Sequence, residues 1–188
     1  NMNEFLGKHF VFYKPKNIVG GDFYWSTKID YRTIIVCADC TGQGVSGAFM
    51  SVLGISLLNK IVKQNNITEI AEIFESLKTQ LTEALLSTES NILRDGIDIS
   101  IVEIDKTKYE INYIGANSPI IHFSEDNLVL HKGQKSSLGL SSKEIESYSI
   151  TNFNYNVGDT IYLYTDGYQN QFGGEQDKKF MGKRLKSL

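Results

Sequence analysis

Gly20-Gly21-Asp22-Phe23-Tyr24-Trp25-Ser26-Thr27-Lys28-Ile29-Asp30-Tyr31-Arg32-Thr33-Ile34-Ile35-Val36-Cys37-Ala38-Asp39 reads as two strands joined by a tight turn. Aromatic and β-branched residues fill 23–29 and 33–38, as half-buried pleated segments prefer. Asp30-Tyr31 remains as a two-residue turn. Facing residues of an antiparallel hairpin share one index sum, so pairing Ile29 with Arg32 also sets Asp22 opposite Asp39. Facing Cβ atoms lie roughly 5 Å apart, and like charges there destabilise the ladder unless something neutralises them. A divalent cation is the natural neutraliser, and sites of carboxylates, carbonyls and water suit magnesium or manganese.

Outward from the hairpin, the turn Gly42-Gln43-Gly44 precedes a helix with apolar Val45, Ala48, Phe49, Val52, Leu53 and Leu57, which predict its buried stripe. The helix is expected to fade near Gln64-Asn65-Asn66. Thr68 then serves as the cap of a second helix with Glu69 and Glu72 in its first turn. Ile70, Phe74, Leu77, Leu81, Ala84 and Leu85 form its apolar side. Further strands are expected at 9–13, 97–104, 109–114, 120–123 and 160–164, with turn-rich bridges at 105–108 and 124–127 making their flanking strands antiparallel neighbours. The class is α+β, a pair of helices covering a sheet. A third acid, Asp166, ends the β-prone run Thr160-Ile161-Tyr162-Leu163-Tyr164-Thr165 just before Gly167.

The chain has 188 residues, 41% hydrophobic and 22% charged, with a formal net charge of -3. That is an ordinary globular composition, and residues 1–188 are expected to form one domain. The negative balance gives no field for nucleic-acid phosphates. No apolar run approaches the ~18 residues of a spanning helix, so no membrane contact by this segment is expected.

Three other chemistries fit the motifs less well. Cys37 and Cys40 have C-x-x-C spacing, but Cys37 sits in a strand-like apolar run, no second pair completes a zinc site, and a glycine turn rather than a helix follows. Gly44-Val45-Ser46-Gly47-Ala48 approaches a nucleophile elbow, with His122 or His131 downstream. Its serine, however, lies several loop residues after the strand, and the parallel βαβ pattern is missing. The glycine turn spells neither of the two common phosphate-cradling motifs.

Val19-Gly20-Gly21-Asp22-Phe23-Tyr24-Trp25, Ala38-Asp39-Cys40-Thr41-Gly42-Gln43-Gly44-Val45-Ser46-Gly47-Ala48-Phe49-Met50 and Tyr164-Thr165-Asp166-Gly167 together resemble the SpoIIE-type (stage II sporulation protein E-like) branch of the PPM metal-dependent protein serine/threonine phosphatases. Asp95-Gly96-Ile97-Asp98 and Tyr113-Ile114-Gly115-Ala116-Asn117-Ser118-Pro119 extend the resemblance, which runs from about Tyr13 to the C-terminus. It implies a PPM-type β-sandwich of mainly antiparallel strands flanked by helices in α-β-β-α layers. It also implies a centre of two Mn2+ or Mg2+ ions, with Asp22, Asp39, the Cys40 carbonyl and Asp166 as ligands and Asp22 and Asp39 at the heart of catalysis. A water or hydroxide bridging the ions would attack the phosphorus of phosphoserine or phosphothreonine directly. The implied setting is bacterial signalling in the cytoplasm, with the full-length protein attached to a sensor that can lie in a membrane, and a phosphorylated anti-sigma-factor antagonist as a partner.

Two departures from the family pattern define a rival. Gln43 stands where relatives commonly have His, and an amide cannot act as a general acid. The acidic pair that such domains carry in a last strand does not occur before Leu188, so the expectation is a domain without its C-terminal strand. The rival is a weak or inactive phosphatase-like domain that binds phosphoprotein or relays a signal. Lys14, Lys16 and Gln43 are the candidate substrate contacts, and Asp95 and Asp98, flanking Gly96, are secondary candidates for a place near the cations.

Overall fold

The computed structural model describes residues 2–86, 96–125, 127–139 and 148–185. Its hairpin consists of β1 (Phe23–Ile29) and β2 (Arg32–Cys40), paired from Phe23 opposite Ala38 to Ile29 opposite Arg32. This is the register expected from the sequence. Asp30 closes the turn at φ 52°, a left-handed conformation that Asp tolerates better than most residues. Next come α1 (Val45–Asn59), extended by a π-helical turn at Lys60–Gln64, and α2 (Ile70–Leu86). The strands β3 (Gly96–Asp105), β4 (Glu110–Ala116), β5 (Ile120–Ser124), β6 (Asn127–His131), β7 (Leu138–Gly139), β8 (Thr151–Asn154) and β9 (Thr160–Leu163) follow. After them come α3 (Asp166–Gln169), the short strands β10 (Phe172–Gly173) and β11 (Lys178–Lys179), and α4 (Met181–Leu185).

The strands form a six-stranded sheet in the order β1-β2-β3-β4-β8, with β7 also on β3, and a three-stranded sheet β6-β5-β9. All these pairs are antiparallel. Alternation along β2 sends Ile34, Val36, Ala38 and Cys40 to one face, where they join Phe23, Trp25, Ile97, Ile99 and Ile101 under Leu58, Ile61, Phe74, Leu77 and Leu81 of the helices. The opposite face supplies Val102, Ile111 and Tyr113, which pack on Ile120, Ile161 and Leu163 of the second sheet. The fold is α+β, two packed antiparallel sheets with paired helices on the outside.

The stripe expected on α1 is corrected. Val45, Phe49 and Val52 are 80%, 69% and 66% exposed, while Gly47, Met50, Ser51, Gly54, Leu57 and Leu58 face inward. The cause is close approach: a Cβ on Gly47 would lie 2.7 Å from the Gly42 carbonyl oxygen, and one on Gly54 would lie 2.9 Å from the Phe23 ring. Small residues bring this helix down onto the hairpin, a signal that hydrophobic periodicity does not register. The α2 face follows its pattern, with Ile70, Ile73, Phe74, Leu77, Leu81 and Leu85 buried.

Two further expectations change, and one is not reached. Residues 9–13 are extended and exposed without a ladder partner among the described residues. They lean by aromatic edges instead, Phe10 on Tyr162 and Phe12 on Tyr168, each at 6.4 Å. Val45–Gln64 is, by length and composition, one helical stretch long and apolar enough to cross a membrane, because its scattered small residues do not interrupt its hydropathy; its small face is packed on the sheet. Asp95 lies outside the described residues.

Candidate metal centre

Strand alternation and register assemble the site. Asp39, on the face of β2 away from the helices, stands opposite Asp98 of β3. Asp22, one residue before β1, continues the pairing that sets Phe23 against Ala38, and its carboxyl shares a side-chain hydrogen bond with Asp39. Three carboxyl groups thus occupy one rung across three neighbouring strands, spaced by roughly 4.8 Å per strand. Farther along the same face of β3 lies Val102, in the cluster packed between the sheets.

The second sheet closes the site. After β9 the chain turns at Thr165, the N-cap of α3, and Asp166 follows as the first helical residue. Thr165 Oγ1 donates to Asp22 Oδ2 at 2.8 Å, tying the sheets together at this point. The Asp22 backbone carbonyl accepts from the Tyr13 hydroxyl at 3.0 Å. Glycine is required beside it, since a Cβ on Gly21 would stand 2.7 Å from the Cys40 carbonyl oxygen. Side chain at Asp22 and carbonyl at Cys40 are thereby brought together by a residue without a side chain.

The electrostatics follow from crowding. Burial, then the charge of Asp22 and the bond shared with it, then Asp166 and Asp98, push the Asp39 carboxyl up to about 7. The same crowding that favours the protonated form of Asp39 would be relieved by a cation. Asp98 is also raised, chiefly by burial, against the opposing effect of donors from Ser137 and Asn117. Among the described residues, no three His, Cys, Asp or Glu side chains by themselves surround a common point as a finished cage. Carboxylates in a row beside a carbonyl suit a small hard cation that keeps several of its own waters.

Of the other candidates, Lys14 and Lys16 are exposed on either side of Pro15, which packs on Gly20. Gln43 is exposed in its glycine turn, and its backbone carbonyl accepts from Ser46 Oγ at 3.1 Å. His122 Nε2 is bonded to Asp159 Oδ2 at 2.9 Å, so the serine-hydrolase reading finds no bonded Ser–His pair among the described residues. Cys37 and Cys40, three apart in one strand, point to opposite faces. Burial followed by the neighbouring acid charges pushes Cys37 up to about 12 and Cys40 in the same direction. Neither is poised for redox or zinc chemistry. Thr165, Asn117 and Ser137 were not singled out from the sequence. The first two lie inside the motifs quoted above, next to Asp166 and Pro119's turn, whereas nothing in Ser136-Ser137 signals a role.

The family model of stage II sporulation protein E (SpoIIE) matches residues 29–187. Asp39 and Asp166 fall inside that span, and Asp22 lies just before it. No curated protein sequence matches significantly. Among solved structures, the SiaA-PP2C domain of Pseudomonas aeruginosa is similar with a TM-score of 0.81 and 25% identity, over 95% of this chain and 68% of that one. The PP2C phosphatase domain of SpoIIE from Bacillus subtilis, crystallised with a fragment of its regulatory domain, gives 0.64 and 16% over 82% of this chain and 43% of that one. RsbX, in complex with magnesium, gives 0.63 and 18% over 81% and 69%. These likenesses place the two-sheet fold among PP2C-type phosphatase domains, and with the family model spanning most of its length the chain belongs to the SpoIIE family.

Proposed function

We propose that this chain is a divalent-cation-dependent phosphatase of phosphoserine or phosphothreonine in a signalling protein. The observation that carries the reading is the half-buried pair Asp22–Asp39, joined side chain to side chain at the open end of the hairpin, with the charge of Asp166 felt from beyond the other sheet. Asp22, Asp39, the Cys40 carbonyl and Asp166 would hold two Mn2+ or Mg2+ ions. The cations, when bound, supply charge neutralisation at phosphate and activation of water. RsbX, similar in fold, forms a complex with magnesium.

The protein's own part is positioning. Thr165 fixes the rotation of the Asp22 carboxylate, and the Gly21–Gly47 contact fixes the carbonyl edge beneath α1. Lys14 and Lys16, held near the site by the Tyr13–Asp22 and Pro15–Gly20 contacts, are cations available to an incoming phosphate. Gln43 can donate a hydrogen bond but has no proton to give a leaving group. A phosphorylated anti-sigma-factor antagonist is the proposed class of partner, in line with the regulatory systems represented among the structural neighbours.

The test is phosphate release from a phosphoserine peptide with Mn2+, with EDTA and in Asp39→Asn. Release that needs Mn2+ and disappears in the variant supports the enzyme. The exposed amide of Gln43 favours the second reading, a phosphoprotein-binding domain without turnover, and peptide binding with no release in Mn2+ would establish it.

A further inference from the structure

We propose that Asp98 is an additional carboxylate of the cation site, acting from outside the direct ligands, and that Ser137 and Asn117 hold it in place. The inference rests on the reading of Asp22 and Asp39 as cation ligands and adds a residue that sets the affinity of that site.

Asp98 is the third residue of β3, inside the ladder and directly opposite Asp39. Asp is a poor strand former, and a carboxylate facing a carboxylate is unfavourable unless positive charge joins them. The side chain does not serve its own turn, as Asp105 does by accepting from the backbone N–H groups of Thr107 and Lys108. Its donors come from two remote segments. Asn117 Nδ2, just beyond β4, donates to Oδ2 at 2.7 Å, and Ser137 Oγ, just before β7, donates to Oδ1. Each oxygen is thus oriented by one neutral donor and keeps lone-pair capacity for another.

A hydrogen-bonding role alone would be met by a neutral side chain. The ion pairs found among the described residues lie elsewhere, at Arg32, Lys78, Lys108 and His122, and none of them includes Asp22, Asp39 or Asp98. A fixed acceptor beside the ligands, with both of its oxygens already oriented, is how outer partners of metal ligands work. Asn117 is held for this in the left-handed region, φ 51°, with its N–H on the Gln134 carbonyl.

The experiment is calorimetric titration of Mn2+ into the chain as it stands and into Asp39→Asn, Asp98→Asn, Ser137→Ala and the Asp98→Asn/Ser137→Ala pair. Asp98→Asn should weaken Mn2+ binding ~10–100-fold, the range for outer partners of metal ligands. Ser137→Ala, which keeps the charge but frees it, should weaken binding several-fold and add nothing in the Asp98→Asn background. Leu77→Val, a distant core change, lowers the melting temperature without moving Mn2+ affinity and separates stability from the site. Wild-type affinity in Asp98→Asn, with binding lost in Asp39→Asn, would overturn this proposal alone. Absence of Mn2+ binding in the unaltered protein would overturn the cation reading and this one with it. Should Asp98→Asn not fold, Ser137→Ala decides: unchanged affinity refutes the role, weakened affinity supports it.

Discussion

Asp39→Asn should make the cation-free protein more stable at pH 8 than the unaltered chain. Below about pH 4 both folded and unfolded Asp39 hold a proton, and the substitution changes little. Between the ordinary 3.8 and about 7 the unfolded chain releases that proton while the folded chain retains it. The folded state then binds more protons, so stability falls as pH rises, and the loss is complete above about 7. At ~1.4 kcal/mol per tenfold, the full separation corresponds to about 4 kcal/mol. Asp39 is only partly buried and water screens its neighbours, which reduces this to ~2 kcal/mol. An asparagine amide donates to Asp22 as the protonated acid does, without the charge. Urea unfolding in EDTA at pH 5 and pH 8, at fixed ionic strength, measures the gain: ~2 kcal/mol at pH 8 and under ~1 kcal/mol at pH 5. His131, whose neutral form burial favours, titrates in both proteins and drops out of the difference. Equal stability at pH 8, or a gain of one size at both pH values, would refute the crowded-carboxylate account. Added Mn2+ should reverse the order, because only the protein that binds it is stabilised by it.

Gly47→Ala should destabilise although alanine is the better helix former. Overpacking against the backbone at Gly42 and Gly21 costs ~1–3 kcal/mol against a propensity gain near 1, and a midpoint shifted to higher urea would contradict the close approach. Phe49→Ser, on the exposed face of α1, should alter stability by no more than ~0.5 kcal/mol, whereas Leu58→Ala should cost ~2–5 kcal/mol; thermal unfolding that reverses this order would restore the stripe read from periodicity. Asp159→Asn should lose ~1–3 kcal/mol at neutral pH, since Asp159 accepts from the Asn156 N–H and pairs with His122. The Asn156 N–H first, then the Ser124 hydroxyl and His122, hold its carboxyl below the ordinary range, so its contribution is present above about pH 4 and disappears as pH falls further. Acid titrations of the two proteins should therefore converge at low pH.

Much of the site was legible because strand geometry is periodic. With Asp30-Tyr31 as the turn, arithmetic alone sets Asp22 against Asp39, and the ladder from Phe23 to Ile29 has that register residue for residue. The α2 face was equally readable, since its apolar residues recur at helical spacing. On α1 the same reasoning failed because close packing there is made by Gly47, Ser51 and Gly54, which carry no hydrophobic signal. The strand expected at 9–13 had the right composition but no ladder partner among the described residues, and composition does not create one.

The sequence by itself determined the hairpin, its register, the acidic residues at its open end and the family pattern. Those depend on neighbours along the chain and on the two-residue repeat of a strand. Only the tertiary structure decided that Asp98 completes the rung, that Thr165 reaches from the second sheet to Asp22, and that Ser137 and Asn117 converge on Asp98 from 39 and 19 residues away. Such contacts depend on how sheets and loops are stacked, and no local spacing encodes the distance between segments that meet only when the two sheets pack.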